Sequence, residues 1–532
     1  MNRRNFIALG GSALLKSGVK LPSPSNQKTP ELPVAPPRIR EQERPNILMI
    51  MADQLRMDCV GAYGNKVIQT PHLDRIAHEG IRFQNAYTCT PSCTPARTAL
   101  MTGLGPWKHG MLGFSNMATN PYPMEKAAAM TAAGYHTTSI GKNHYYPMTN
   151  AHGYRHLITD EHCSYWFHHD TDAKPQSAEE RCDYESWFWS QMPDKDPHAT
   201  GLGWNDQPSK PFVYPEELHA THWTGTTAVR FLQQYDRKEP FFLKVSFIRP
   251  HSPYDPPERF FKMYESAPLP EAQVGDWAAR YEPRSSDRDD LWHGKLSKQE
   301  IRNSRQGYYG SISFMDEQVG RILEALEQRR MLDDTMIVFF SDHGDMLGDQ
   351  NLWRKAYAYE PSAHIPLLLR PAAGMRLGQP GQVIENPVEI RDLLPTFLDA
   401  AGATIPSHLD GKSLLHLVRG VGDWRPYIDL EHNVCYNVTN HWNALTDGKW
   451  KYIFHAYSGE EQLFDLQHDP LESKDLATAQ EYGEILSTWR ERLIEHLRER
   501  GEDWVHDGKL VLRKQSMMLS PNFPGYKPVK ME

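Results

Sequence analysis

Three largely apolar runs punctuate this chain, and each is closed by a polar residue of chemical interest. Ile47–Ala52 runs into Asp53, Thr335–Ser341 into Asp342, and Phe241–Phe247 ends shortly before His251. Runs of this length, apolar on consecutive positions instead of alternate ones, predict strands buried on both faces of a parallel sheet. In open α/β sheets ligands collect beyond the carboxyl ends of such strands. Three polar residues at three strand ends therefore predict one shared site. Between the runs the period changes to that of a helix. Pro71–Glu79 opens with a proline suited to a first turn. Ile312, Met315, Val319, Ile322, Leu323 and Leu326 predict a helix over 311–330. Asn386–Ala400 predicts another, stopped near Gly402.

Alternating strand and helix over most of the chain predicts a three-layer α/β domain with a central, mostly parallel sheet. Beyond about Val421 the texture changes. Trp450–His455 and Glu461–Leu466 read as short antiparallel strands, and Tyr482–Arg500 as a charged amphipathic helix. A smaller C-terminal α+β subdomain with an antiparallel sheet is expected there. The organisation is thus a catalytic domain over 45–420, with a loop insertion at 160–215, and a subdomain over 421–532.

The first 44 residues belong to neither unit. Arg3, Arg4 and Phe6 precede the apolar Ile7–Leu15, the pattern of a twin-arginine export signal, which places the protein in the periplasm. Residues 1–20 are read as that signal and 21–44, rich in proline, serine and charge, as a flexible linker. No apolar run approaches the ~20 residues of a membrane span, so no stable membrane insertion is expected. A net charge of −9 argues against a nucleic-acid partner, which calls for a basic face. It leaves room for a local cluster of cations around a small anion. The six cysteines (Cys59, Cys89, Cys93, Cys163, Cys182 and Cys435) form no CxxC pair, and Cys163 with Cys182 is the one bridge worth weighing.

One cysteine carries the chemistry. In Thr90-Pro91-Ser92-Cys93-Thr94-Pro95-Ala96-Arg97, Pro95 and Arg97 follow Cys93 at fixed offsets, with Thr102-Gly103 a little further on. This resembles the signature of the formylglycine-dependent sulfatases, with Ala96 where serine is usual. Gly141-Lys142-Asn143-His144 and Arg249-Pro250-His251 resemble further signatures of that family, as does Trp353-Arg354-Lys355. So do Thr446–Tyr452 and Leu463–Glu472 in the C-terminal region. The resemblance covers most of 45–477 and implies an alkaline-phosphatase-like fold.

It also implies a mechanism. Cys93 is oxidised to formylglycine by a partner, a formylglycine-generating or an anaerobic sulfatase-maturating enzyme, and the hydrated aldehyde is the nucleophile. A thiolate is poorly suited to attack a sulfuryl group ringed by negative oxygens, whereas an oxygen nucleophile held by a dication has its charge compensated. Asp53, Gln54, Asp342 and His343 would hold Ca²⁺ together with the modified Cys93; Gln54 stands where many members carry a second aspartate. Arg97 would orient the diol or the carboxylates. Lys142, His144 and Lys355 would neutralise the sulfuryl oxygens, and His251 or Lys355 would protonate the leaving alcohol.

The substrate expected is a sulfated carbohydrate. Pro106–Gly113 and Asn143–Pro147 resemble bacterial sulfatases of glycosaminoglycan fragments, uronate 2-O-sulfatases in particular. The insertion supplies Trp166, His168 and His169 as candidate sugar- and anion-binding groups, with Trp187, Trp189 and Trp204 beyond them, and His432 is a further candidate. Two rivals remain open: a phosphonate or phosphate ester hydrolase with the same nucleophile, and a non-catalytic glycan-binding protein in which Cys93 stays a thiol.

Overall fold

The computed structural model describes residues 44–161, 181–286, 291–434, 436–515 and 517–527. The proposed export signal, nearly all of the linker, Cys163, Trp166, His168, His169 and Cys435 lie outside the described residues.

Eight strands form the main sheet: β1 (Asn46–Asp53), β2 (Ile81–Phe83), β3 (His136–Gly141), β4 (His156–Thr159), β5 (Phe241–Pro250), β6 (Thr335–Ser341), β7 (Leu367–Arg370) and β8 (Gln382–Ile384). Their order is β4-β3-β5-β1-β6-β7-β2-β8. β1 lies between β5 and β6 and is parallel to both. Only β7 runs against its neighbours, β6 and β2. The expected three-layer, mostly parallel architecture is what the chain adopts.

The pleat explains why β1 is apolar at every position. Leu48, Ile50 and Ala52 enter one core, whereas Ile47, Met49 and Met51 enter the other. The first face is covered by α1 (Pro71–Glu79), α3 (Ala220–Gln234) and α4 (Lys298–Gln328), the second by α2 (Cys93–Thr102) and α5 (Leu393–Ala400).

Two helices differ from the sequence expectation. α4 begins at Lys298, a full 13 residues before the predicted start, behind a capping box formed by Ser297 and Glu300. Its N-terminal half buries Ser304, Arg305, Gln306 and Gly307, so apolar periodicity there is weak although the face is internal. The segment predicted as helix from Asn386 instead contributes a two-residue strand, Val388–Glu389, paired with Ala86–Tyr87, and a single turn before α5 starts at Leu393. Pro387 and the capping box between Glu389 and Asp392 set that delay.

The C-terminal subdomain is an antiparallel sheet, β9 (Ile428–His432), β10 (Trp442–Thr446), β11 (Trp450–His455) and β12 (Glu460–Asp465), in that order. α6 (Gly483–Leu497) packs on it through Leu486, Trp489, Leu493 and Leu497. The chain then returns to the catalytic domain, where Leu112 N–H donates to Met518 O at 2.9 Å and Ser520 N–H to Gly110 O at 2.7 Å. No described helix is long and apolar enough to cross a membrane.

Candidate active site

The sheet itself brings the polar strand ends together. Ala52 is in register with Ser341, so Asp53 and Asp342 emerge side by side. Gly141 pairs with Ser246, and Lys142 N–H continues that ladder by donating to Ser246 O at 2.9 Å. His251 N–H donates to Asp53 O at 3.1 Å. α2 then delivers Cys93 at its first turn, with all ten of its residues buried.

Cys93 Sγ lies 3.2 Å from His343 Nε2 and 3.8 Å from Asp53 Oδ1. Lys355 Nζ donates to Cys93 Sγ at 3.2 Å and to Gln54 Oε1 at 2.7 Å. One ligand atom each from Asp53, Cys93, Asp342 and His343 falls within 4.8 Å of the others, and all four residues are buried. Gln54 adopts φ 68° at the end of β1, a conformation uncommon outside glycine and costly unless the surroundings over-determine it. They do so here. Its N–H donates to Asp342 Oδ1 at 3.1 Å, and its Nε2 donates to Asp345 Oδ2 at 2.6 Å. Tyr308 OH donates to its carbonyl at 2.6 Å, and Tyr254 OH fixes Asp345 Oδ2 at 2.6 Å.

Arg97 sits one helical turn behind the nucleophile position and ties the strand ends together. Its Nε donates to Asp342 Oδ2 at 2.9 Å, Nη2 to Asp53 Oδ2 at 3.2 Å, and Nη1 to Lys142 O at 2.9 Å and Ser246 Oγ at 3.3 Å. Lys142 Nζ pairs with the same Asp53 oxygen. Burial favours the neutral form of Asp53, yet Lys142, His251, Arg97 and Lys355 outweigh it and hold this carboxyl well below its usual range. The Cys93 thiol is opposed by burial and by Asp53, but Lys355, Lys142 and His343 bring it well below the ordinary thiol range. Cations thus make this pocket favour an anion at position 93, which stands where the oxygen of an oxidised side chain would sit.

Lysine at position 97 keeps the charge but cannot reproduce four directed contacts from one planar fork. Arg97→Lys is expected to lower kcat by about 10²-fold, in the range of losing a preorganised donor. Thermal unfolding measured beside the kinetics should show a lower Tm, since two buried carboxylates lose part of their pairing.

The donor set suits a divalent cation. Two carboxylates and an imidazole converge on residue 93, with the Gln54 carboxamide beside them, and such mostly hard donors are what divalent cations take. Asp53, Gln54, Asp342 and His343 are the residues that would hold it.

The remaining predicted residues are placed as follows. His251 packs against Trp204 with ring centroids 4.4 Å apart and planes tilted by 31°, and Lys142 Nζ lies 5.1 Å from the centroid of that indole. His144 follows Lys142 by two residues and meets Phe114 edge-on at 5.7 Å. His432 is 1% exposed and its Nε2 lies 2.9 Å from Ser92 Oγ, next to Cys93. It braces the start of α2 and offers little surface to a substrate. Burial pushes its imidazole down to about 3, so it is neutral. Sequence reading missed Asp345, which fixes the Gln54 side chain, and Glu161 and Lys244, which hold the 142–144 segment. Lys244 had left a mark, a lone charge inside the apolar run Phe241–Phe247.

A mostly parallel sheet whose acidic strand ends enclose a buried, cation-ringed cysteine defines a hydrolase of the alkaline-phosphatase-like superfamily. The chain belongs to the sulfatase family, which residues 45–403 match; residues 348–499 match the C-terminal region of N-sulphoglucosamine sulphohydrolase. Similar proteins include an arylsulfatase of Clostridium perfringens (strain 13 / Type A), 38% identical over 88% of this chain and 97% of the relative. A choline-sulfatase of Rhizobium meliloti (strain 1021) is 32% identical over 82% of each chain. Among solved structures, the phosphonate monoester hydrolase of Agrobacterium radiobacter superposes with a TM-score of 0.70 at 26% identity, covering 86% of this chain and 96% of that one.

Proposed function

We propose that this hydrolase is an exported, periplasmic sulfatase that uses formylglycine at position 93 and Ca²⁺ to remove sulfate from a sulfated carbohydrate, a 2-O-sulfated uronate of a glycosaminoglycan fragment. The observation that carries the catalytic half is the convergence of Lys355, Lys142 and Arg97 on Asp53, Asp342 and Cys93 in one buried cluster. When bound, the cation would supply charge compensation for a nucleophilic oxygen and for the sulfuryl group. Lys142 and Lys355 would neutralise the sulfuryl oxygens, and Arg97, paired with Asp53 and Asp342, would keep the two carboxylates in register. His251, whose Nδ1 lies 2.7 Å from Ser252 O, presents Nε2 as the other ring nitrogen for the leaving alcohol. Burial, then Lys355, lowers its pKa well below the ordinary imidazole value. His251 and Lys355 are the two groups proposed to protonate the leaving alcohol. Maturation by a formylglycine-generating or anaerobic sulfatase-maturating enzyme follows from the Cys93–Arg97 motif.

The carbohydrate half rests on Pro106–Gly113, on Asn143–Pro147 and on Trp204, an aromatic face beside His251. Release of sulfate from defined sulfated disaccharides tests it. A 2-O-sulfated uronate unit is the expected substrate, and activity confined to 4-O- or 6-O-sulfated hexosamines rejects it. The likeness to a phosphonate monoester hydrolase favours one second reading, phosphonate ester cleavage on the same site. Paired rates on an aryl sulfate and an aryl phosphonate decide between them. The sulfate should be preferred by more than about tenfold in kcat/KM.

A further inference from the structure

Two of the proposed contacts with the sulfuryl group, Lys142 and His144, flank a residue that makes none. That residue, Asn143, is held on every side. Lys244 Nζ donates to its Oδ1 at 2.8 Å, Ser139 Oγ does so at 2.6 Å, and its Nδ2 donates to Gly141 O at 2.9 Å. Its backbone N–H donates to Glu161 Oε1 at 2.6 Å. The next N–H, that of His144, donates to both oxygens of the same carboxylate, at 3.1 Å and 3.0 Å. His144 itself sits at φ 62°. Successive N–H groups turned to one side make a small concavity that accepts an anion. Here a side chain of the same protein, buried just after β4, fills it. A left-handed histidine persists only where its surroundings hold it, and Lys142 already has an independent anchor in its bond to Ser246 O.

We infer that Glu161 is a positioning residue for the sulfatase reaction: its carboxylate, accepting from Asn143 and His144 N–H, fixes the left-handed turn that carries the His144 side chain. This rests on the proposed role of His144 in turnover. The inference gives Glu161 no contact with substrate. Its effect passes entirely through the backbone of residues 143 and 144, so it should vanish when the imidazole is absent.

Glu161→Ala, Glu161→Gln, His144→Ala and the double variant Glu161→Gln/His144→Ala are made in the full-length protein co-expressed with a maturation enzyme. Rates on an aryl sulfate are normalised to formylglycine content read by intact peptide mass. Glu161→Ala should lose about 10²-fold in kcat, the scale of a misplaced catalytic group, with KM changed less than about threefold. Glu161→Gln keeps one carbonyl oxygen able to accept both N–H groups and should fall in between. In the His144→Ala background the glutamine substitution should cost less than about twofold. Full kcat in Glu161→Gln, with His144→Ala strongly impaired, overturns the inference while leaving the sulfatase reading intact. An equal loss from Glu161→Gln with and without His144 also overturns it, because the residue would then act elsewhere. Full activity in His144→Ala instead rejects the role of His144. Should Glu161→Ala fail to fold, Glu161→Gln and the double variant decide alone.

Discussion

Cys93→Ala is expected to abolish turnover of any sulfate ester, by at least about 10⁴-fold, with the fold intact. The size follows from the role of the residue. Nothing else among the described residues can serve as nucleophile at that point, because the neighbours of Cys93 Sγ are His343, Asp53 and Lys355, which the site already uses for holding a cation or for charge. Removing a nucleophile from a preorganised site leaves only binding and electrostatic stabilisation, which fall short by several orders of magnitude. Folding should survive, because the alanine keeps the first position of a fully buried helix whose packing rests on Ala96, Leu100 and Met101. Two measurements check this. Sulfate release gives the rate. Intact mass of the peptide spanning residue 93 shows whether the wild-type chain carries formylglycine when a maturation enzyme is present. Turnover by wild-type protein whose cysteine is unmodified throughout contradicts the proposed chemistry. An unmodified, inactive protein that still binds sulfated glycan points to the non-catalytic alternative.

The reason position 93 could be found in the sequence is that its chemistry is local. Cys93, Pro95 and Arg97 sit within one helical turn, and the strand-end residues Asp53 and Asp342 are announced by the apolar runs that precede them. What the sequence conceals is set by tertiary contact. Glu161 lies 17 residues from His144 and is one carboxylate among many until the fold aims it at two N–H groups. The first half of α4 hides because its inner face is polar: Arg305 reaches Asp349 at 2.8 Å and Tyr308 reaches Gln54 O at 2.6 Å, in place of apolar packing. His432 illustrates the converse, a candidate whose burial the sequence does not announce. An imidazole following Tyr427–Leu430 reads as a ligand for substrate, but β9 carries it into the interior, where it meets Ser92. The aromatic and imidazole residues of the insertion, Trp166, His168 and His169, lie outside the described residues and keep their role as proposed substrate groups.

The second large effect concerns charge balance around Asp53. Asp53→Asn is nearly isosteric, so it perturbs packing little at a position that is 0% exposed. It removes the carboxylate on which Arg97 and Lys142 converge, through Arg97 Nη2 at 3.2 Å and through Lys142 Nζ. Two consequences follow, one in the metal-free protein and one in the loaded one. Without the metal, buried cations lose their partner, and breaking a buried pair costs about 3–5 kcal/mol. With Ca²⁺ offered, the variant also lacks one of the two carboxylates that would hold it, and loss of a charged ligand weakens a hard-cation site most. A bound ion stabilises by RT ln(1 + [L]/Kd), about 2.7 kcal/mol at a hundredfold excess over Kd. Wild-type protein should therefore gain Tm as Ca²⁺ is titrated into chelator-treated samples, and Asp53→Asn should lose most of that gain along with activity. The Tm titration reads the metal site without relying on turnover. A calcium-dependent Tm shift equal in the two proteins would place the cation away from Asp53.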